Sequence, residues 1–456
     1  MVAFLRDVTP YGSRGDEKSN NQIDVSGNEL RRKNDELKKR MKDTTESIRR
    51  LEEIGIAKMT DEDKKAARGP DRDKVARERL KAQLEPAQWE KYESLKKLVE
   101  ETRKEMESLP LDFRLGLAKC DPTPEDTFVL MRGSPQAPSD KVEPAFPKLF
   151  NDQKPVLDEP KSHSSGRRTV LARWLTSPSN RLSGRVIANR LWQRHFGRGI
   201  VRSSNNFGQL GDSPTHPELL DYLSQQLVRH DWHLKPLHRM MLMSKTYQLS
   251  STGESASVER DPGNDYFTHF NVRRLSAEEI RDAVLTANGR INWEQHGPSF
   301  FPDVSDDVKA GQSVPGKGWG KSSAADRSRR SVYIFIKRSL IPPELSVFDF
   351  PETDTSCEAR FLTTQAAQAM NMLNGSFMQE QSDNLAEQTS KDGTGLANAM
   401  RKAIERAYSR PAGAEETQRA LKRVDSLREK FGLTEQQAFR EYCLVLLNSN
   451  EFIYLD

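Results

Sequence analysis

The chain has 456 residues and a formal net charge of +4, from 71 Lys and Arg against 67 Asp and Glu. That length allows about two or three domains, and so small an excess of basic charge gives no ground for a nucleic-acid partner, which needs clustered cations. Hydrophobic residues at 35% and charged residues at 30% fit a water-soluble fold with one strongly solvated segment. In chain order, residues 1–27 are polar and turn-rich and are expected to be a tail or linker. From 28 to 110 a charged antiparallel helical hairpin is predicted. Its first arm has the heptad-like, coiled-coil spacing Leu30, Asn34, Leu37, Met41, Thr44, Ile48, Leu51, and its second has Tyr92, Leu95, Val99, Thr102, Met106, Leu109. A short helix near 71–85 is expected between them, bounded by Gly69-Pro70 and Pro86. Acidic and basic residues interleave along both arms, as on a solvated helix surface. Residues 111–164 form a small connector with strand-like runs at Phe113–Lys119 and Thr127–Arg132.

A mainly α core domain is predicted over 165–456, with a few short β-strands. A helix at about 181–196 should stop at Gly197, since glycine is favoured just past a helix end. Capping boxes are expected at Thr215–Glu218, Ser276–Glu279 and Thr434–Gln437. Residues 296–329 read as a long loop, and Ser331–Lys337 as the clearest strand of the chain. Three widely separated cysteines, Cys120, Cys357 and Cys443, make no disulfide framework. With no CxxCH motif present, no cofactor is expected in this chain. No apolar run approaches the ~20 residues of a membrane span, and the opening MVAFLRDVTPYGSRGDE lacks the apolar core of a signal peptide.

Five of the eight histidines crowd into Asn180–Ser250. That stretch carries Asn189-Arg190, Trp192, His195-Phe196-Gly197, Gly199, Phe207-Gly208, Thr215–Asp221, Trp232, Lys235, Leu237–Arg239, Ser244 and Tyr247. Further blocks follow at Arg274–Asp282, Arg330–Tyr333, Lys337-Arg338, Pro343–Leu345, Phe348-Asp349, Pro351 and Leu447–Phe452. Together, over about residues 110–456, they resemble a Planctomycete-specific C-terminal domain of unknown function, of the PSD-one type, found in cytochrome-associated envelope proteins. The resemblance implies an extracytoplasmic setting, a c-type cytochrome or upstream-domain partner, and a link to polysaccharide. The usual upstream cytochrome and second unknown-function domains are not in this sequence, which implies a truncated gene product or a separately encoded half.

The candidate ligand-binding residues are Arg185, Asn189, Arg190, Trp192, His195, His216 and His238. Arg185, Asn189, Trp192 and Phe196 fall on one helical face. There a sugar could stack on Trp192 while Arg and Asn bind its hydroxyls; alternatively, Asn189 and Arg190 bond loop carbonyls in a purely architectural network. His216 close to Glu218 and Asp221 suggests acid–base chemistry, but helix capping and the helix dipole explain both acids equally well. No metal site is predicted. His230 and His233 straddle a helix boundary, and Asp349, Glu352 and Asp354 read as a ladder of turn-forming acids. Two functions follow: a non-catalytic binding or scaffold module acting on glycan-rich material, or a polysaccharide-acting enzyme with His195 or His216 as acid–base. A third, an interaction adaptor, would use the charged hairpin.

Overall fold

The computed structural model describes all residues except 10–21, 67–78, 116–118, 150–153, 162–163, 358, 361 and 392–394. The described chain is mainly helical and divides into two compact units, Met1–Ser177 and Pro178–Asp456. Among the described residues no helix is long and apolar enough to cross a membrane.

The first unit is organised by α1 (Asn28–Ala57) and α2 (Pro86–Ser108). They run antiparallel, because Lys33 and Arg40 meet Glu105 while Glu52 meets Tyr92. The predicted seam is the buried one: Asn34, Leu37, Thr44 and Leu51 on α1, Tyr92 and Thr102 on α2. Its polar members are satisfied within the pair. Thr102 Oγ1 accepts from Arg40 Nε and Nη2 at 3.1 and 2.9 Å, and Thr44 donates to the Arg40 carbonyl at 2.7 Å. Gly55 leaves room for Leu80, whose Cδ1 would lie 2.8 Å from an added Cβ. Most of the helix predicted near 71–85 lies outside the described residues, and Leu80–Ala82 form a 3-10 turn.

The opening residues are not a free tail. Ala3, Phe4 and Asp7 are buried. Strand β1 (Val8–Thr9) pairs with β4 (Lys119–Cys120), and β2 (Gln22–Asp24) with β3 (Phe113–Leu115), both antiparallel. A hairpin of β5 (Thr127–Leu130) and β6 (Pro138–Val142) completes the small sheets of this unit. Phe146 stacks between Phe4 and Trp174, at ring distances of 5.3 and 4.8 Å. Arg167 donates to the Ala3 carbonyl at 3.0 Å. These contacts place helix α3 (Arg167–Leu175) in the first compact unit.

The second unit contains two hydrophobic cores. One joins α4 (Arg181–Phe196), α5 (Pro217–Arg229) and α6 (Leu234–Leu242) through Trp192, Phe196, Leu220, Leu227, Leu237 and Met241. The other gathers α7 (Ala277–Ala287), the single turn α8 (Pro343–Ser346), α9 (Ala366–Asn374), α10 (Ser376–Lys391), α11 (Leu396–Tyr408), α12 (Ala414–Phe431) and α13 (Glu435–Leu447). Beside it, β7 (Arg273–Arg274) pairs with β8 (Tyr454–Leu455). The capping boxes at Ser276 and Thr434 form as expected. The one at Thr215 does not. Helix α5 is capped at His216 with Pro217 in its first turn, and Thr215 turns its hydroxyl to the Ile200 carbonyl.

Ser331–Lys337 is also not a strand. Ser331–Tyr333 is a 3-10 turn, and only isolated bridges follow, Phe300 to Ile334 and Lys337 to Leu340. The cause is tertiary: Asp282 Oδ1 accepts from both the backbone N–H and the hydroxyl of Ser331, each at 2.7 Å, which fixes a turn where propensity favours extension.

Candidate functional site

Helix α4 is set by its ends. Asn180 Oδ1 accepts from the backbone N–H groups of Leu182 and Ser183 at 3.2 Å each, and Gly197 leaves the helix at φ 81°. Gly184 brings α4 against α5: an added Cβ would lie 2.3 Å from Ser224 Oγ. The predicted site residues on this helix then point inward or sideways to partners in the same unit.

Asn189 is 0% exposed. Its Nδ2 donates to the Val201 carbonyl at 2.9 Å, and its Oδ1 accepts from the Val201 N–H at 2.8 Å. The side-chain amide thus acts like a strand edge, pinning the connection that follows Gly197. Gly199 is required beside it, since a Cβ there would lie 2.4 Å from the Val201 carbonyl oxygen. Arg185 pairs with Asp221 on α5, Nε to Oδ1 at 2.5 Å. Arg190 donates to Asn205 Oδ1 at 2.9 Å. Trp192 is 5% exposed, stacked on Phe196 at 3.9 Å and met edge-on by Phe267 at 5.2 Å. It therefore offers no face to a sugar, contrary to the stacking role its sequence position suggested.

Two of the three candidate histidines meet. His195 Nε2 and His238 Nδ1 are 2.8 Å apart, so one ring nitrogen donates and the other accepts. Tyr247 packs edge-on against His195 at 5.8 Å. Burial first, then the neighbouring His238 and Arg273, push the His195 imidazolium below its ordinary pKa. His216 stands apart. Its Nδ1 contacts Thr215 Oγ1 at 3.0 Å, and its ring faces Tyr266 and Phe267 at about 6 Å. Among the described residues no hydrogen bond joins it to the other two. His230 and His233 are exposed at the α5–α6 turn, where Asp231 and Trp232 both take positive φ. Among the described residues no three His, Cys, Asp or Glu side chains converge as a metal-binding group. Of the acids near 350, Asp349 accepts from Arg274, Thr363 and Gln368, while Asp354 pairs with Arg338.

The sequence reading missed a cavity of about 180 Å³ in the second unit. Its walls include Ile280, Phe300, Ile334, Leu345, Phe348 and Met372, and among the charged residues that line it are Arg281 and Glu344. Arg281 is held by the fold. Nη1 donates to the Arg329 carbonyl at 3.0 Å and to Ser331 Oγ at 3.2 Å, and Nη2 donates to the Arg327 carbonyl. Its guanidinium lies 5.1 Å from the Phe300 ring centre and 5.5 Å from that of Phe377. Burial lowers its pKa to about 10, with Asp282 and Glu344 opposing the shift. Burial pushes the Glu344 carboxyl up, against a backbone N–H and Arg281. Wall and charges come from segments more than ninety residues apart in the chain, roughly the reach of a whole small domain, so local spacing cannot reveal them. The one available signal was that Arg281 and Glu344 fall inside the blocks Arg274–Asp282 and Pro343–Leu345.

A helical unit with a motif-dense first core and a cavity in its second defines the class. The chain belongs to the PSD1 family, described as a protein of unknown function (DUF1553), whose model matches residues 167–424. The match includes both the α4–α6 signature region and the cavity-bearing segments. Comparison with curated proteins finds no match, and comparison with solved structures finds none either.

Proposed function

We propose that the chain is a non-catalytic binding or scaffold module of an extracytoplasmic envelope system. It would work with a c-type cytochrome or an upstream-domain protein on glycan-rich material. The observation that carries this reading is the internal use of the signature residues. Arg185, Asn189, Arg190 and Trp192 are engaged by Asp221, Val201, Asn205 and Phe196, so they serve the fold and are not arrayed around a substrate. The half-buried His195–His238 pair and His216 are the candidate groups left for recognition.

A polysaccharide-acting enzyme is the second reading, favoured by the hydrogen bond between His195 and His238, which can pass one proton between two rings. One experiment separates the two. The full chain is run by affinity electrophoresis in gels containing neutral, acidic or sulfated polysaccharide, with release of reducing ends followed in parallel. Retardation without new reducing ends is the expected result. Reducing ends that disappear in His195→Ala would establish the enzyme instead, and neither effect on any polymer would remove glycan from the proposal.

A further inference from the structure

We propose that the cavity beside α7 and α8 is a binding site for a small, neutral, mainly apolar molecule of single-ring size carrying one hydrogen-bond-donating head, which Glu344 accepts. The site is independent of the glycan reading. Ile280, Phe300, Ile334, Leu345, Phe348 and Met372 are each buried yet line the open volume. At about 180 Å³, that volume is similar to an apolar cavity of ~150 Å³ known to admit benzene.

The polar wall decides the head group. Arg281 gives three of its five N–H donors to two carbonyls and Ser331, which fix its guanidinium against the wall. The Glu344 carboxylate is the contrasting group. Apart from a backbone N–H, the Glu344 carboxyl meets no side-chain donor among the described residues, and it borders the cavity. A carboxylate can accept several hydrogen bonds, so a donor brought by a ligand completes its set.

Charge decides the rest. Near the cavity, Asp282 is shared between Arg281 at 3.8 Å and Arg330 at 3.4 Å. That leaves one positive charge, and Glu344 answers it. At the rim, Arg327 pairs with Asp303 and Arg290 with Glu387, while Glu380 is exposed to water. The lining is therefore balanced before any ligand enters. An ammonium or carboxylate ligand would introduce an unpaired charge into apolar surroundings, which is costly. A hydroxyl would not.

The test uses the full chain labelled with [¹³C-methyl]methionine, at alkaline pH, which favours the ionised form of a carboxyl that burial pushes up. Benzyl alcohol, toluene, benzylamine and benzoate are titrated in turn. Met372 and Met378 line the cavity, whereas Met240, Met241 and Met243 belong to the α6 segment and serve as internal controls. Expected are saturable shifts confined to Met372 and Met378, with benzyl alcohol binding about tenfold tighter than either charged isostere and tighter than toluene. Glu344→Gln keeps the shape but removes the balancing charge, so benzoate should gain on benzyl alcohol by about tenfold. Shifts spread equally over all five methionines, no saturable shift, or charged isosteres binding as well as the alcohol would overturn the proposal. The wild-type ranking decides the matter even where the variant does not fold.

Discussion

In the α4–α6 core, the polar residues of the signature are consumed by the fold: Asn189 by the two backbone groups of Val201, Arg185 by Asp221, Arg190 by Asn205. In the α7–α13 core, Arg281 and Glu344 face a cavity, and Arg281 is held there by hydrogen bonds to Arg329, Ser331 and Arg327. The first region is conspicuous in sequence because its hydrogen bonds need particular side chains at fixed spacing. The second is inconspicuous because its wall is assembled from distant apolar residues that any core would use. Density of motif thus marks how the connection after α4 is fastened, while the cavity lies elsewhere in the same unit.

Breaking the first region should be costly. Trp192→Ala removes the stack on Phe196 and the edge contact with Phe267, and is expected to destabilise by about 3–5 kcal/mol, read from urea unfolding midpoints. A loss below about 1 kcal/mol would mean that the ring is not part of the core.

A smaller effect should follow pH. The folded-state pKa of His195 is depressed, first by burial and then by His238 and Arg273. As pH falls, the unfolded chain therefore takes up this proton before the folded one does. The contribution is intact above the ordinary histidine pKa of about 6.5 and is lost progressively below it. Melting temperatures should fall on acidification through that window, and less steeply in His195→Gln. Identical slopes for the two proteins would contradict the pairing.

The smallest effect is expected at Arg185. Its ion pair with Asp221 is partly exposed, with side chains 37% and 45% accessible, so Arg185→Ala should cost roughly 0.2–1 kcal/mol. A loss of several kcal/mol there would sharpen the comparison differently, making the α4–α5 ion pair as structural as the Asn189 contact.

What was legible in the sequence was local. Heptad-like spacing found the α1–α2 seam, and glycine with capping residues found the ends of α4 and the starts of α7 and α13. The failures share one physical cause, a distant partner overriding a local preference. Asp282 holds Ser331 in a turn, the Ile200 carbonyl takes the Thr215 hydroxyl, and Phe4 is claimed by Phe146. For the candidate site, sequence identified His195 and His238 but could not show that they touch each other and not His216. Trp192 looked available because its helical face is mixed; Phe267, seventy-five positions on, closes it, and contacts at that separation have no local signature.

The central claim is that the signature fastens the fold. It is tested most directly at Asn189, the buried residue whose side chain makes both hydrogen bonds to Val201. Urea unfolding of Asn189→Ala is measured beside polysaccharide retardation of the same sample under native conditions. The account predicts a destabilisation of about 2–4 kcal/mol, because two buried backbone groups lose their partners, with the slope of the unfolding curve unchanged. An unchanged midpoint together with lost retardation would contradict it and return Asn189 to a ligand site.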